Sequence, residues 1–156
     1  MQISECMRTT VYMIGAEATL REAMQLMAQH MIGTLPVVDD DKHILGVVVL
    51  DDILTRFMPK FVDLLRSTDF VHDFGILEAG RQSAHLTEQP ITEIMRPPYA
   101  IAADSGLMAA MVMMHKHQFT DVPVVNEDEQ LVGLVSNVRV GSMFLMEWIN
   151  HLADES

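Results

Sequence analysis

The sequence holds a single cysteine, Cys6, so no disulfide can form within the chain, and a reducing compartment fits. Basic residues are scarce: 10 Lys and Arg stand against 22 Asp and Glu, a net charge of −12. That balance argues against sequence-independent binding to nucleic acid or an anionic membrane, which needs a basic face. No apolar run approaches the ~20 residues that cross a bilayer. The opening MQISECMRTT lacks the apolar stretch of a secretory signal, so a cytoplasmic protein is expected. Also absent are a glycine-rich phosphate cradle, a nucleophile–base set and a metal-ligand cluster. No enzyme activity, catalytic cofactor or metal is expected, and nothing near Cys6 would activate it as a nucleophile.

What is present is apolar and repeated. Of 156 residues, 49% are hydrophobic, enough for a sizeable core in one domain or one tandem pair. The stretch Thr34–Asp52, TLPVVDDDKHILGVVVLDD, returns as Thr120–Arg139, TDVPVVNEDEQLVGLVSNVR. At an offset of 87 positions Pro36 falls on Pro123, Val37-Val38 on Val124-Val125 and Gly46 on Gly133. Leu20, Ala23, Met24, Met27 and His30 fall on Leu107, Ala110, Met111, Met114 and His117, and Met7-Arg8 falls on Met95-Arg96 with one residue of slippage. A repeat at fixed offset decides the fold. Each copy reads as a short strand, a helix, two strands and a closing helix. A copy of about 50 residues buries too little surface alone, so two are expected to pack face to face.

Local signals fill in each copy. Ile3–Arg8 reads as a helical lead-in and Thr10–Ile14 as the first strand. Thr19-Leu20-Arg21-Glu22 is a capping box. Leu20, Ala23, Met24, Met27 and Met31 follow helical spacing to about His30, with Gly33 as the C-cap. Fourteen methionines suggest either an adaptable partner surface or gap-filling in a core, and the core reading is preferred for most. Asp39-Asp40-Asp41 reads as a solvated hairpin turn, since its carboxylates lack EF-hand spacing. Ile53–Leu65 reads as a helix broken or kinked at Pro59. Residues 58–90 form an insert. Phe61, Leu64, Leu65, Phe70, Phe74, Ile76 and Leu77 make Pro59–Leu77 too apolar for a loose linker, so that part is expected to be ordered and to cover an apolar surface. Gly80–Gln89 reads as the loop, and His72-Asp73 as a surface or capping pair. In the second copy, Ile91–Met95 is a lead-in and Tyr99–Ala102 a strand. Asp104 or Ser105 caps a helix to about Gln118. His115 and His117 sit two apart, so they do not face each other on a helix and make no metal pair. Val138–Asn150 closes the chain.

These residues resemble a tandem pair of CBS domains, named after cystathionine β-synthase. The carriers are Met7-Arg8 and Met95-Arg96, the helices ending near His30 and His117, and the proline-valine-valine strands followed by glycine and two hydrophobics. The likeness covers roughly Ile3–Arg56 and Ile91–Phe144 and is that of a stand-alone, bacterial-type CBS-domain protein. It implies a mixed α/β (α+β) fold: two β-α-β-β-α repeats packed by pseudo-two-fold symmetry, with a partly helical insert between them. The division expected is 1–57, 58–90 and 91–156. The resemblance implies a regulatory module that binds an adenosine-containing ligand between the repeats, and assembly as a homodimer.

The family's ligand signature is glycine, two hydrophobics, Thr or Ser, two variable residues, then Asp. The first copy runs Gly46-Val47-Val48-Val49-Leu50-Asp51-Asp52, with Asp52 in the ribose position and Val49 in place of the hydroxyl. The second runs Gly133-Leu134-Val135-Ser136-Asn137-Val138-Arg139, with the hydroxyl of Ser136 kept and Arg139 in place of the carboxylate. By resemblance the Asp52 site takes Val49 and Leu50 with Pro98, Tyr99, Ala100, Thr120 and Val122. A weaker Ser136–Arg139 site takes Thr10, Val11, Thr34 and Leu35. Many relatives place a basic residue two before the proline, where Thr34 and Asp121 stand here. The Asp52 site is therefore expected to take an adenosine-type ligand (AMP-, ADP- or ATP-like) with few phosphates. The alternative is a protein-interaction or dimerisation module whose clefts bind no nucleotide. The regulated protein is not named by the sequence.

Overall fold

The computed structural model describes residues 1–57 and 84–154. The expectations for Pro59–Leu77, including Phe61, Leu64 and His72-Asp73, lie outside the described residues.

Each copy opens on a 3₁₀ turn, Ile3–Glu5 or Ile91–Glu93. The first continues as β1 (Ile14–Gly15), α1 (Leu20–His30), β2 (Thr34–Val38), β3 (Ile44–Val49) and α2 (Leu50–Phe57). A short α3 (Ala84–Thr87) precedes the second copy. That copy runs β4 (Ile101–Ala102), α4 (Leu107–His117), β5 (Asp121–Val125), β6 (Leu131–Ser136) and α5 (Asn137–Asp154). The strands form two sheets, β1-β2-β3 and β4-β5-β6, each with a parallel then an antiparallel pair. Both hairpins carry a register shift at the same place, Val37/Val38 and Val124/Val125. This is the two-copy mixed fold that the repeat predicts.

The hairpin turns show why Asp39 recurs as Asn126. Asp39 Oδ1 accepts from the amides of Asp41 and His43, both at 2.9 Å. Asn126 Oδ1 accepts from Asp128 at 3.0 Å and Gln130 at 2.9 Å. Such side-chain-to-backbone bonds fix a turn. They let Lys42 and Glu129 take positive φ, 66° and 59°. The acidic triplet is thus a turn, as its spacing suggested.

Helix α1 starts on the expected capping box. Thr19 Oγ1 accepts from the Glu22 amide at 3.3 Å, and Glu22 accepts from the Thr19 amide at 2.7 Å. Thr19→Ala is expected to lower stability by about 1 kcal/mol in urea denaturation, with Thr19→Ser close to wild type. Three local expectations are corrected. The left-handed C-cap is Met31 (φ 52°), not Gly33, and Gln118 (φ 55°) repeats it. Met31 is 93% exposed, so it does not extend the apolar face. The N-cap of α4 is Gly106, not Asp104 or Ser105. The reason is tertiary: the Ser105 carbonyl accepts from Ile3 N at 2.9 Å, which ties that residue to the N-terminal segment.

The first strands are also shorter than expected, two residues each rather than Thr10–Ile14 and Tyr99–Ala102. Before them the chain is crossing from one copy to the other. Arg8 pairs with Leu134 in β6, its N–H and C=O bonding at 2.8 and 2.9 Å. Arg96 pairs in the same way with Val47 in β3, at 2.8 and 3.1 Å. The core follows the exchange. Ile3 and Cys6 are buried among Ile101, Leu107, Val122 and Val135 of the second copy. Ile91 is buried among Leu20, Met27, Leu35 and Val48 of the first.

Methionines divide by face: Met27 and Met114 are buried, while Met108 and Met146 are exposed. The closing helix is longer than expected, Asn137–Asp154.

Candidate functional site

Strand β3 passes into α2 without a loop, which places Asp51 and Asp52 in the helix's first turn. Carboxylates are favoured there by the unpaired amides and the helix dipole. Arg96 is delivered to the same spot by its backbone pairing with Val47. Its guanidinium forks onto Asp52, Nε to Oδ2 at 2.6 Å and Nη2 to Oδ1 at 2.7 Å. Nη1 donates to the His117 carbonyl at 3.0 Å, and the guanidinium carbon lies 5.1 Å from the Phe119 ring centroid. Bonding to Asp52, reinforced by the nearby Asp51, holds the arginine above its ordinary pKa against the opposing effect of burial.

Aromatic rings stand beside the pair. Tyr99 lies 4.1 Å from His117 and 5.4 Å from Phe119, centroid to centroid. The first cleft thus brings together a carboxylate, a guanidinium and ring faces. Leu50 (41% exposed) stands at its edge of α2, Pro98 and Thr120 are exposed, and Tyr99 and Ala100 are half-buried. Val49 and Val122 lie in the core, 5% and 0% exposed. Thr120 donates to Asp121 at 3.0 Å.

The second cleft has the same frame. Tyr12 stacks on His30 with centroids 3.7 Å apart, where Tyr99 lies tilted against His117 at 4.1 Å. Ser136 Oγ accepts from the Arg139 amide at 3.2 Å, so it caps α5. Arg139 and Thr10 are exposed and Val11 is half-buried, while Thr34 and Leu35 are buried at 3% and 0%.

Arg96 is the candidate-site residue that sequence reasoning missed. Its signal was present, because Met-Arg recurs before both first strands. That pair marked the repeat, but its partner across the molecule is set by topology. Cys6 is buried, and burial pushes its thiol pKa up, with Arg139 acting in the opposite direction. A raised thiol is a poor nucleophile at neutral pH. Among the described residues no cluster of His, Cys, Asp and Glu could hold a metal ion, and no helix is long and apolar enough to cross a membrane.

A family model described as CBS domain matches residues 3–59 and 91–138. This chain belongs to the CBS-domain family. Among curated proteins, the CBS-domain chain is 26% identical over 136 residues to hypoxic response protein 1 of Mycobacterium tuberculosis, covering 87% of this chain and 80% of that one. It is 25% identical over 141 residues to a homoserine O-acetyltransferase of Methanosalsum zhilinae. There the match covers 90% of this chain but only 23% of the enzyme. Among solved structures, CBSX2 in complex with AMP superposes with TM-score 0.68 at 20% identity, over 93% of this chain and 96% of that one. CBSX2 is from Arabidopsis thaliana. A CBS domain pair in complex with 5′-methylthioadenosine and S-adenosyl-L-methionine gives 0.67 at 18% identity, over 94% and 98%. These likenesses establish the fold. The enzymes among the relatives carry the matching region as a minor part of a longer chain.

Proposed function

We propose that this CBS pair is a regulatory sensor that binds an adenosine-containing ligand in the first cleft. The observation that carries the reading is the Asp52–Arg96 fork set beside the Tyr99, His117 and Phe119 rings. Asp52 supplies a carboxylate for both ribose hydroxyls and Arg96 a cation for phosphate, and the rings and Ala100 offer an apolar face for the base. Each oxygen of Asp52 accepts one bond from Arg96 and keeps a second lone pair for a ribose hydroxyl. In this arrangement Asp52 takes the sugar and Arg96 the phosphate. Asp51 and Asp121 stand near this cleft and disfavour long phosphate chains. One phosphate or none fits best. The AMP and S-adenosyl-L-methionine complexes of related CBS pairs support the class of ligand.

Self-association has its own support. Helix α5 leaves Leu145, Met146, Trp148 and Ile149 between 56% and 62% exposed, an apolar run that a second copy would cover. The same run supports the alternative, an interaction module without nucleotide.

A thermal-shift panel of adenosine, AMP, ATP, S-adenosyl-L-methionine and GMP tests the sensor reading. A ligand at a hundredfold its dissociation constant is expected to stabilise by about 2.7 kcal/mol, with AMP above ATP and GMP inert. The shift should vanish in Asp52→Ala. A panel with no shift at millimolar concentration refutes the sensor and leaves the interaction module.

A further inference from the structure

The two clefts share a frame and differ in charge. At the 87-residue offset Leu134 takes the place of Val47 and Arg139 that of Asp52, and with one residue of slippage Arg8 takes the place of Arg96. The frame is held in the same way, by Arg8 pairing with Leu134 as Arg96 pairs with Val47. Gly133 sits against Met7 as Gly46 sits against Met95. In the first cleft the side chains at the two corresponding positions meet at 2.6 and 2.7 Å. In the second cleft both positions are arginine. Both are exposed, and among the described residues neither forms an ion pair. Glu5, the acidic side chain nearest in sequence to Arg8, accepts from the Gln2 amide at 2.7 Å within its own turn.

A third group adds to this. Thr34 Oγ1 is buried with no hydrogen-bond partner. It lies two residues beyond Ile32, the counterpart of the Phe119 ring that underlies Arg96. A buried hydroxyl without a partner is uncommon, and its proton is free to be given to an acceptor.

We infer that the second cleft is a receptor for a linear di- or triphosphate group, gripped between Arg8 and Arg139, with no need of a nucleoside. Guanidinium forks match phosphate oxygens in pairs. Two guanidinium groups at the positions that meet in the first cleft give a polyanion two cationic grips on one frame. Arg139 therefore converts a ribose position into a second phosphate grip. This goes beyond the adenosine reading, because the probe carries no adenosine.

The test is calorimetric titration of the full chain with sodium tripolyphosphate at low ionic strength, where exposed charges act most strongly. Wild type is expected to bind. Arg139→Asp removes one grip and adds a repelling carboxylate, and should weaken binding about a hundredfold or more. Arg139→Gln should weaken it about tenfold, and Lys42→Gln, which removes a distant charge, less than about twofold. Without ligand, Arg139→Asp should melt above wild type, because it rebuilds the fork seen in the first cleft. Tripolyphosphate affinity that survives both Arg139 variants, or falls equally in Lys42→Gln, overturns the inference. So does binding of ATP without binding of tripolyphosphate, whereas comparable affinities for the two uphold it. Failure of adenosine and AMP beside successful tripolyphosphate binding refutes only the sensor reading of the first cleft.

Discussion

Replacing Ile91 by alanine is expected to cost about 3–4 kcal/mol of stability, and the damage should appear in the first copy, not in the copy that contains the residue. Ile91 is 0% exposed and packs with Leu20, Ala23, Leu35 and Val48. Its amide donates to Ala18 O at 3.0 Å, which fixes the segment just ahead of α1. Ile3→Ala should mirror it, with similar loss, because Ile3 is equally buried among Ile101, Leu107 and Val135. Equilibrium denaturation gives the magnitude. Native-state hydrogen exchange gives the place: Ile91→Ala should lower protection in α1 and β2, and Ile3→Ala in α4 and β5. Protection lost within each residue's own copy would contradict the exchange of lead-ins.

Gly46→Ala is expected to cost about 2–3 kcal/mol, more than Gly133→Ala. A Cβ at Gly46 would stand 2.5 Å from Met95 Sδ and 2.8 Å from the Arg96 carbonyl oxygen. A Cβ at Gly133 would stand 2.6 Å from Met7 Sδ and 3.1 Å from the Arg8 carbonyl oxygen. A methionine end can move. The Arg96 carbonyl cannot move without loss, because it accepts from Val47 N at 3.1 Å. The double variant Gly46→Ala/Met95→Ala should therefore recover only part of the loss. The displaced backbone is also the one that delivers Arg96 to Asp52, so AMP affinity should fall with stability in Gly46→Ala. Equal denaturation midpoints for the two glycine variants would rule out this account.

The repeat made the architecture legible. An 87-residue offset carried the strands, the helices and their order, because periodicity and turn chemistry are local. The Thr19 capping box was readable for the same reason. What escaped was whatever depends on the other copy. Ser105 has the better capping side chain, yet its backbone is engaged by Ile3 and the helix starts after Gly106. Thr10–Met13 have strand composition, but the chain is in transit between sheets there. At the candidate site, Asp52 was singled out by the family's ligand signature, which starts at Gly46. Arg96 was not, since nothing in its own neighbourhood indicates a partner 44 positions away. Asymmetry between the clefts was half visible: Arg139 stood out as a departure, whereas the position of Arg8 beside β6 needed the Leu134 pairing.

The exchanged lead-ins also impose an order on assembly as the chain leaves the ribosome. Val47 waits roughly 50 residues for Arg96, but Arg8 waits well over 100 for Leu134, a far longer loop to close. The first sheet can be completed before the second has been synthesised. Meanwhile Ile3, Cys6 and Met7 stay without their final packing until β6 emerges. This lead-in is made before every second-copy residue it packs against and cannot dock until they emerge. A nascent chain stalled before Leu134 would expose it to proteases and chaperones.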